Sequence, residues 1–459
     1  MDKVILFGAS TRGQTAYKNL IKEYEIVYFA DNNEAKWGEE LCGIEIIPPH
    51  SLISLKDDCQ IIITSQYDIA IASQLLNMGI TKFGVYHGDF NRVDYFDYSN
   101  IEKIQEKKNQ ISLIMSNNSG SSTYALYKMM PPQYQEKYNV ILINENKKDN
   151  NYYLNLLESK LIVHTHSNYY DNTKINVQLW HGFPLKGLSY MSNHVTKEQK
   201  DYNHREWEKL DLIISYSQTY STLMNACHGL DGNKYFVAGM PRNDFLFNTD
   251  GKKILSELLG INLTDKKVIF YMPTFRKTVF GEENGQEDQY NLLDIPGFDE
   301  KLFDTYLEEN NIAFIIKYHP VHVYQDKKVK NVHILKDDHL RDKDLELYEI
   351  INAADLLITD YSSIYFDYLL LDRPIIFTPL DLEAYTENRG FLLEPYDFWA
   401  PGPKCYNFEQ LAAEIIICLN DNSYYQKERE TICNIVHHYK DANSSERVWK
   451  VIDQLMSKS

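Results

Sequence analysis

The stretch DLLITDYSSIYFDYLLLDRPIIFTPLD, residues 355–381, decides how this chain folds. Leu356–Ile358 is a short apolar run, followed by the polar loop Thr359-Asp360-Tyr361-Ser362-Ser363. Ile364–Leu371 is then apolar on most sides, as a buried helix is, and Ile375–Phe377 is a second short strand-type run. Strand, loop, buried helix and strand make one unit of a parallel sheet. Ligands of such sheets collect beyond the carboxyl ends of the strands. At that position Ser362 or Ser363 is placed to cap the helix. The free N–H groups and partial positive charge of a helix start suit a diphosphate. An ordinary cap with no ligand would use the same residues.

The same order recurs on either side. WHG follows VQL, PRND follows FVAGM, PTFR follows VIFYM, KYHP follows AFII, and PLD follows PIIFT. Each polar cluster stands at the carboxyl end of an expected strand. ESKLIVHTHS, KLDLIISYSQ and AADLLITDYS echo one another as polar lead-in, strand and polar loop. Two doubly wound halves, residues 111–258 and 259–459, would give this pattern and would bring their strand ends to one cleft. The polar stretch Gly281–Tyr290 reads as a surface loop.

Residues 1–95 form a smaller α/β module. Val4–Phe7 and Ile26–Ala30 read as strands, Thr15–Ile21 as a helix, Gln60–Thr64 as a further strand and Ile69–Met78 as a further helix. Residues 96–110 are polar and read as a connecting helix or linker. Between the first strand and helix lies Gly8-Ala9-Ser10-Thr11-Arg12-Gly13, and Asp31 follows the second strand. Gly8, Ser10, Gly13 and Asp31 occupy the places of a dinucleotide-binding loop and its ribose-binding acid. Ser10 stands where a glycine belongs and crowds the pyrophosphate approach. A dinucleotide here is one reading; a structural or acceptor-docking module is the other and the favoured one.

The 459 residues suffice for two to four domains with real cores, and 44% apolar with 24% charged content is ordinary globular composition. A formal net charge of −18 argues against a nucleic-acid partner, while leaving room for a local basic pocket. Six scattered cysteines without a CxxC pair fit a reducing cytoplasm rather than a disulfide framework. The chain opens directly on a strand, so no signal peptide is expected, and no apolar run approaches the ~18 residues a membrane span needs.

Candidate chemistry sits on the strand ends. His181 and His319 each leave a strand beside glycine or proline. One such histidine serves packing as readily as catalysis; two at matching strand ends point to chemistry. His319 and His322 lack an obvious third ligand, so no metal site is expected. His164 and His166 alternate along one strand and read as structural. Arg242 and Arg276 follow strand–proline signals and offer planar forks of donors to phosphate, or else form surface ion pairs.

WHGFPLKG, GMPRNDFLF, YMPTFR, IKYHP, ITDYSSIYFDYLLLDRPIIF, DLEAY and RGFLLEPYDFWAPGP, in that order, resemble the CDP-glycerol glycerophosphotransferases. These are teichoic-acid primases and polymerases of Gram-positive bacteria, with relatives in capsule synthesis. The resemblance spans roughly residues 111–459. It implies a GT-B-like pair of Rossmann-like domains facing a cleft, here preceded by the small Rossmann-like module. It also implies transfer of glycerol phosphate from CDP-glycerol to a hydroxyl of a lipid-linked or polymeric acceptor, releasing CMP. A CDP-ribitol donor, or a nucleotide sugar in a true glycosyltransferase, are the alternatives.

By that resemblance His181 is the general base and His319 lies near the donor phosphates. Ser362 and Ser363, with Arg276, Arg242 and Arg389, hold the diphosphate. Asp381 and Glu383 reach the ribose, although an acid after a strand equally caps a helix. Gly182 lets a substrate approach the backbone, Lys186 is a secondary phosphate or acceptor contact or else a solvated lysine, and Thr359 and Asp360 assist. No cofactor beyond the donor is implied. The expected location is the cytoplasm, with peripheral contact at the inner face of the membrane. The loop SNNSGSS departs from the family pattern, so acceptor preference does not carry over.

Overall fold

The computed structural model describes residues 1–88, 91–100, 106–146, 148–166, 170–274, 293, 295–317 and 329–458. They fall into two compact units, Met1–Ser112 with Glu145–Lys160, and Leu113–Asn144 with Leu161–Ser459.

The first unit carries a seven-stranded sheet. Its strands are β1 (Lys3–Phe7), β2 (Glu25–Ala30), β3 (Glu40–Leu41), β4 (Ile44–Ile47), β5 (Gln60–Ile63), β6 (Lys82–His87) and β7 (Arg92–Asp97), in spatial order β3-β4-β2-β1-β5-β6-β7. β1 pairs in parallel with β2 on one side and β5 on the other, so the winding reverses there. Val4, Leu6, Phe29 and Ile62 pack with Ala16 and Leu20 of the helix Thr11–Leu20. That helix starts four residues earlier than the sequence suggests. Its first turn lies so close to β1 that a Cβ at Gly13 would sit 2.1 Å from the Gly8 carbonyl oxygen.

The polar stretch 96–110 is not a connecting helix among its described residues. Residues 95–97 complete β7, antiparallel to β6 with Phe96 opposite Phe83, and residues 107–110 begin the next strand. The deciding pattern is a period of two: Phe96 and Tyr98 are buried and both rings lie 5.9 Å from Phe83, while Asp97 between them is exposed.

The second unit holds the strand ends of interest. A six-stranded sheet contains β8 (Lys107–Met115), β9 (Asn139–Asn144), β10 (Ser159–His164), β11 (Ile175–Gln178), β12 (Leu212–Ser215) and β13 (Tyr235–Val237), ordered β13-β12-β11-β10-β8-β9. β8 and β10 begin on residues of the first unit and run into the second. A five-stranded sheet contains β14 (Lys267–Met272), β15 (Ile312–Ile316), β16 (Val332–Ile334), β17 (Leu356–Thr359) and β18 (Ile375–Phe377), ordered β16-β15-β14-β17-β18 with every neighbour parallel. Its winding reverses between β14 and β17, where an open parallel sheet forms its ligand crevice.

Strand residues Ile269, Phe314, Ile316, Leu356, Ile358 and Ile376 form this half's core with Phe303, Leu307, Leu411 and Ile415 of the helices Glu300–Glu309 and Phe408–Asn420. Burying each such side chain contributes about 1.5–3 kcal/mol. The final helix, Ser444–Lys458, returns to the other half. The N–H groups of Ser444 and Ser445 donate to the Asp244 carboxylate at 2.9 and 2.7 Å, and the Trp449 indole donates to the Leu126 carbonyl at 2.9 Å.

Candidate functional site

A cavity of about 400 Å³ is lined by turns from both sheets of the second unit. Trp180–Lys186 follow β11, Met272–Thr274 follow β14, Lys317 follows β15, and Tyr361–Ile364 follow β17. Ser119 enters from the turn after β8, and Tyr385 and Arg389 from the segment after β18. The strand-end clusters read from the sequence therefore converge.

His181 owes its place to a bent backbone. After β11 the chain turns at Trp180, whose φ of 53° is left-handed, a conformation costing a bulky residue about 1–3 kcal/mol. The Trp180 N–H donates to Gln178 Oε1 at 2.7 Å, and its ring packs edge-on to Trp207 at 5.3 Å, which offset that cost. The next side chain is thereby swung out of the sheet, and the His181 ring is exposed and lines the cavity. Its Nδ1 faces the Thr165 carbonyl oxygen at 3.4 Å. A carbonyl only accepts, so the neutral ring carries its proton on Nδ1 and keeps a lone pair on Nε2. Desolvation, then His166 and Arg242, hold the imidazole well below the ordinary histidine range. At neutral pH His181 is an unprotonated base.

Gly182 explains how closely the two halves meet. A Cβ there would lie 2.6 Å from Ser363 Oγ. The glycine permits this approach of the opposite half at a point where it also lines the cavity. Neither serine is shown capping the short helix that follows. Ser363 is itself in the helical region, at φ −67° and ψ −7°, with no side-chain cap bond, because the turn begins one residue early. The helix runs Ile364–Tyr368 and continues as a 3₁₀ turn over Leu369–Leu371.

Arg242 is neither a surface ion pair nor an open fork for phosphate. It is 2% exposed. Nη1 donates to the carbonyls of Gly120 and His181 at 2.8 and 2.7 Å, and Nη2 donates to Tyr216 Oη and Asp367 Oδ2 at 2.8 and 2.6 Å. Those four bonds use its terminal donors, so it acts by holding the backbone of His181. Asp367 also accepts from Tyr348 Oη at 2.5 Å and Asn243 Nδ2 at 2.9 Å. Burial raises the Asp367 carboxyl, but Arg242, His437 and these donors outweigh it and hold the group below the ordinary carboxylate range.

The other expected residues divide. Lys186 lines the cavity with its ammonium 5.5 Å from the Tyr385 ring centre, and Arg389 lines it too. Thr359 and Asp360 are buried beneath the site. Thr359 Oγ1 donates to the Met272 carbonyl at 2.7 Å, and Asp360 Oδ1 accepts from the N–H and hydroxyl of Thr274 at 2.8 and 2.6 Å. They fix the turn after β14. Asp381 and Glu383 are not in the lining. Asp381 Oδ1 accepts from Tyr361 Oη at 3.0 Å, while Glu383 is exposed on the helix Leu382–Asn388. Arg276, His319 and His322 lie outside the described residues.

The described lining carries the cations Lys186, Arg242, Lys317 and Arg389 and no carboxylate, on a chain of net charge −18. Arg242 and Lys317 are matched by Asp367 and Asp337 at 2.6 and 2.8 Å. The cavity is thus locally suited to an anion. Among the described residues no cluster of His, Cys, Asp or Glu could hold a metal ion.

Four contributors are not among the site residues expected from the sequence. His166 stacks on His181, with ring centres 4.3 Å apart and planes 10° apart. The SNNSGSS loop enters the site: Ser119 Oγ donates to Asp337 Oδ1 at 2.7 Å, and the N–H groups of Gly120 and Ser121 donate to Glu346 Oε1. Burial pushes the Glu346 carboxyl up to about 7 against those donors. Asp367 did leave a signal, an acid within the apolar run IYFDYLLL, which burial obliges to find partners. Glu346 and His166 left none, since their partners are remote in sequence.

In the first unit Gly8 has a φ of 127°, and Ser10 precedes the helix without a side-chain cap bond. The Asp31 carboxylate accepts from the Ala9 N–H at 2.8 Å and from Lys36 Nζ at 3.2 Å, and Lys36 also donates to the Ala9 carbonyl at 2.7 Å.

Residues 93–454 match the family model described as CDP-Glycerol:Poly(glycerophosphate) glycerophosphotransferase, and residues 1–85 match one described as C2185-like, N-terminal. The teichoic acid glycerol-phosphate primase of Bacillus subtilis (strain 168) is 29% identical over 290 residues, 61% of this chain and 68% of the primase. The teichoic acid poly(ribitol-phosphate) polymerase of Bacillus spizizenii (strain ATCC 23059 / NRRL B-14472 / W23) is 31% identical over 291 residues, 61% of this chain but 43% of that polymerase. A solved structure of the wall teichoic acid polymerase TagF, soaked with CDPG, superposes with a TM-score of 0.61 at 21% identity, covering 77% of this chain and 90% of that one. At that identity the likeness establishes the fold, a GT-B-like pair of Rossmann-like domains.

Proposed function

Because the chain belongs to the CDP-glycerol:poly(glycerophosphate) glycerophosphotransferase family, we propose that it transfers glycerol phosphate from CDP-glycerol to an acceptor hydroxyl. CMP is the leaving group, and the product is a phosphodiester of a teichoic-acid-type polymer. The observation that carries this reading is the meeting of His181 and Ser363 at one cation-lined cavity, with Gly182 pressed against Ser363.

In the proposed step the acceptor oxygen attacks the phosphorus that bears glycerol. Its proton passes to His181 Nε2, the bond to the CMP oxygen breaks, and CMP departs with that electron pair. Lys186 and Arg389 offset the charge on the phosphoryl oxygens, and the Ser362 and Ser363 hydroxyls are the candidate diphosphate donors. Arg242 keeps His181 in place through its carbonyl. The step needs no cofactor. We extend the proposal to a lipid-linked or polymeric acceptor reached by peripheral contact at the inner face of the membrane; among the described residues no helix is long and apolar enough to cross one.

Relatives acting on glycerol phosphate and on ribitol phosphate match at similar identity, which favours testing both donors. CMP release from CDP-glycerol and CDP-ribitol, and UDP release from a UDP-sugar, each with a lipid-linked acceptor, is the direct assay. Release from CDP-glycerol supports the proposal; turnover of the UDP-sugar alone overturns it.

A further inference from the structure

His166 follows β10 by two residues, and its ring lies almost parallel to that of His181. Thr165 and His166 together grip the base: the Thr165 carbonyl faces Nδ1 at 3.4 Å, and the His166 ring covers a face at 4.3 Å. His166 is itself fixed, its Nδ1 lying 3.0 Å from Thr165 Oγ1. The Trp180 ring is the other close aromatic neighbour, at 4.2 Å and 37°. A ring held on an edge by a carbonyl and on a face by a stacked partner has little freedom about χ2. That freedom otherwise decides where an Nε2 lone pair points.

We propose that His166 is a positioning residue for the base, its stacked ring fixing the plane in which His181 Nε2 meets the acceptor hydroxyl. The inference rests on the reading of His181 as base. His166 does not touch the acceptor; it acts through the ring it covers. It also acts on charge. Burial holds His166 low, at about 4. Charging His181 beside His166 is disfavoured, and the cations facing His181 are Arg242 and Lys186. Removing His166 takes away one of these influences, so the His181 pKa rises toward its ordinary value.

The test compares His166→Ala, which deletes the stack, with His166→Phe, which keeps a flat ring but cannot titrate. CMP release from CDP-glycerol is followed against pH, and the His181 pKa is read by NMR of ¹³C-labelled histidine. In His166→Ala, kcat falls about 10-fold at an unchanged KM for CDP-glycerol, the scale expected of a misaligned reacting group. In His166→Phe most of that loss is recovered. In both variants the acid limb of the pH profile and the NMR pKa move upward. Wild-type kcat in His166→Ala, a loss confined to KM, or a His166→Phe variant as slow as His166→Ala overturns the proposal. Full turnover by His181→Ala instead removes the base itself, an outcome separable from failure at His166.

Discussion

The turn after β1 in the first unit and the turn after β17 in the second both lie where a parallel sheet reverses its winding. The first is occupied from within. The Asp31 carboxylate takes the Ala9 N–H, and Lys36 clamps both acid and loop. The second opens onto a cavity of about 400 Å³ whose described lining has four cations and no carboxylate. Equivalent topology supplies donors in both places. Whether they serve the fold or a ligand is set by the charge the surrounding chain brings to them.

The largest expected contrast is in turnover. His181→Ala should lower CMP release by about 10²–10⁴-fold, the contribution of a positioned general base. Asp31→Ala should leave the rate at the wild-type value. Comparable losses in the two variants would erase the distinction between the turns. The wild-type pH profile sharpens the point. Because the folded protein lowers the His181 pKa, the neutral base persists as pH falls through 6.5, and kcat/KM should decline only below that value.

Stability separates the units next. Arg242 and Asp367 are a buried ion pair at 2.6 Å, and Asp367→Ala would leave the guanidinium without a counter-charge. Such a deletion costs about 3–5 kcal/mol. Denaturant unfolding should show the loss in the transition of the second unit, with that of the first unchanged. The linkage sign follows from the lowered Asp367 pKa. Its contribution is fully present above the unfolded carboxylate pKa and is lost as pH falls through the folded one. A loss under 1 kcal/mol, as typical of exposed pairs, would mean the pair does not hold the two halves together.

Gly182→Ala measures how closely those halves meet. The new methyl would lie 2.6 Å from Ser363 Oγ, an overpacking that costs about 1–3 kcal/mol. Ser363→Ala in the same chain should relieve part of it, read as a coupling energy in a double-mutant cycle. Additive effects would show that the halves part freely at this point.

The sheets and the convergence of their ends were legible in the sequence because strand residues, prolines and polar loops are local signals. Leu356–Thr359, the Ile364–Leu371 segment and Ile375–Phe377 lie where the pattern of 355–381 places them. Individual roles were less legible. Arg242 reads as a phosphate fork until Gly120, His181, Tyr216 and Asp367 are seen to use its donors, and those partners are up to 125 residues away. His166 reads as structural by alternation along its strand, whereas its ring meets a turn from the neighbouring strand. The helix expected over 96–110 is absent among the described residues because the two-residue alternation of Phe96 and Tyr98 pairs the start of this polar stretch into the sheet.

The smallest effect tests the occupied turn directly. Asp31→Ala removes the acceptor for Ala9 N–H and the partner of Lys36, at a cost of about 1 kcal/mol for a partly buried hydrogen bond. Millimolar NAD should leave the melting temperature of the wild-type first unit unmoved, since a ligand stabilises only the state that binds it. If the carboxylate is what fills the loop, the variant gains an open N–H where the pyrophosphate of a dinucleotide would lie, and any NAD-dependent rise in melting temperature should appear there first. A clear rise in the wild-type chain would instead make Gly8–Gly13 a ligand site, with Asp31 displaced on binding. The two reversal points would then differ in which ligand they take rather than in whether they take one.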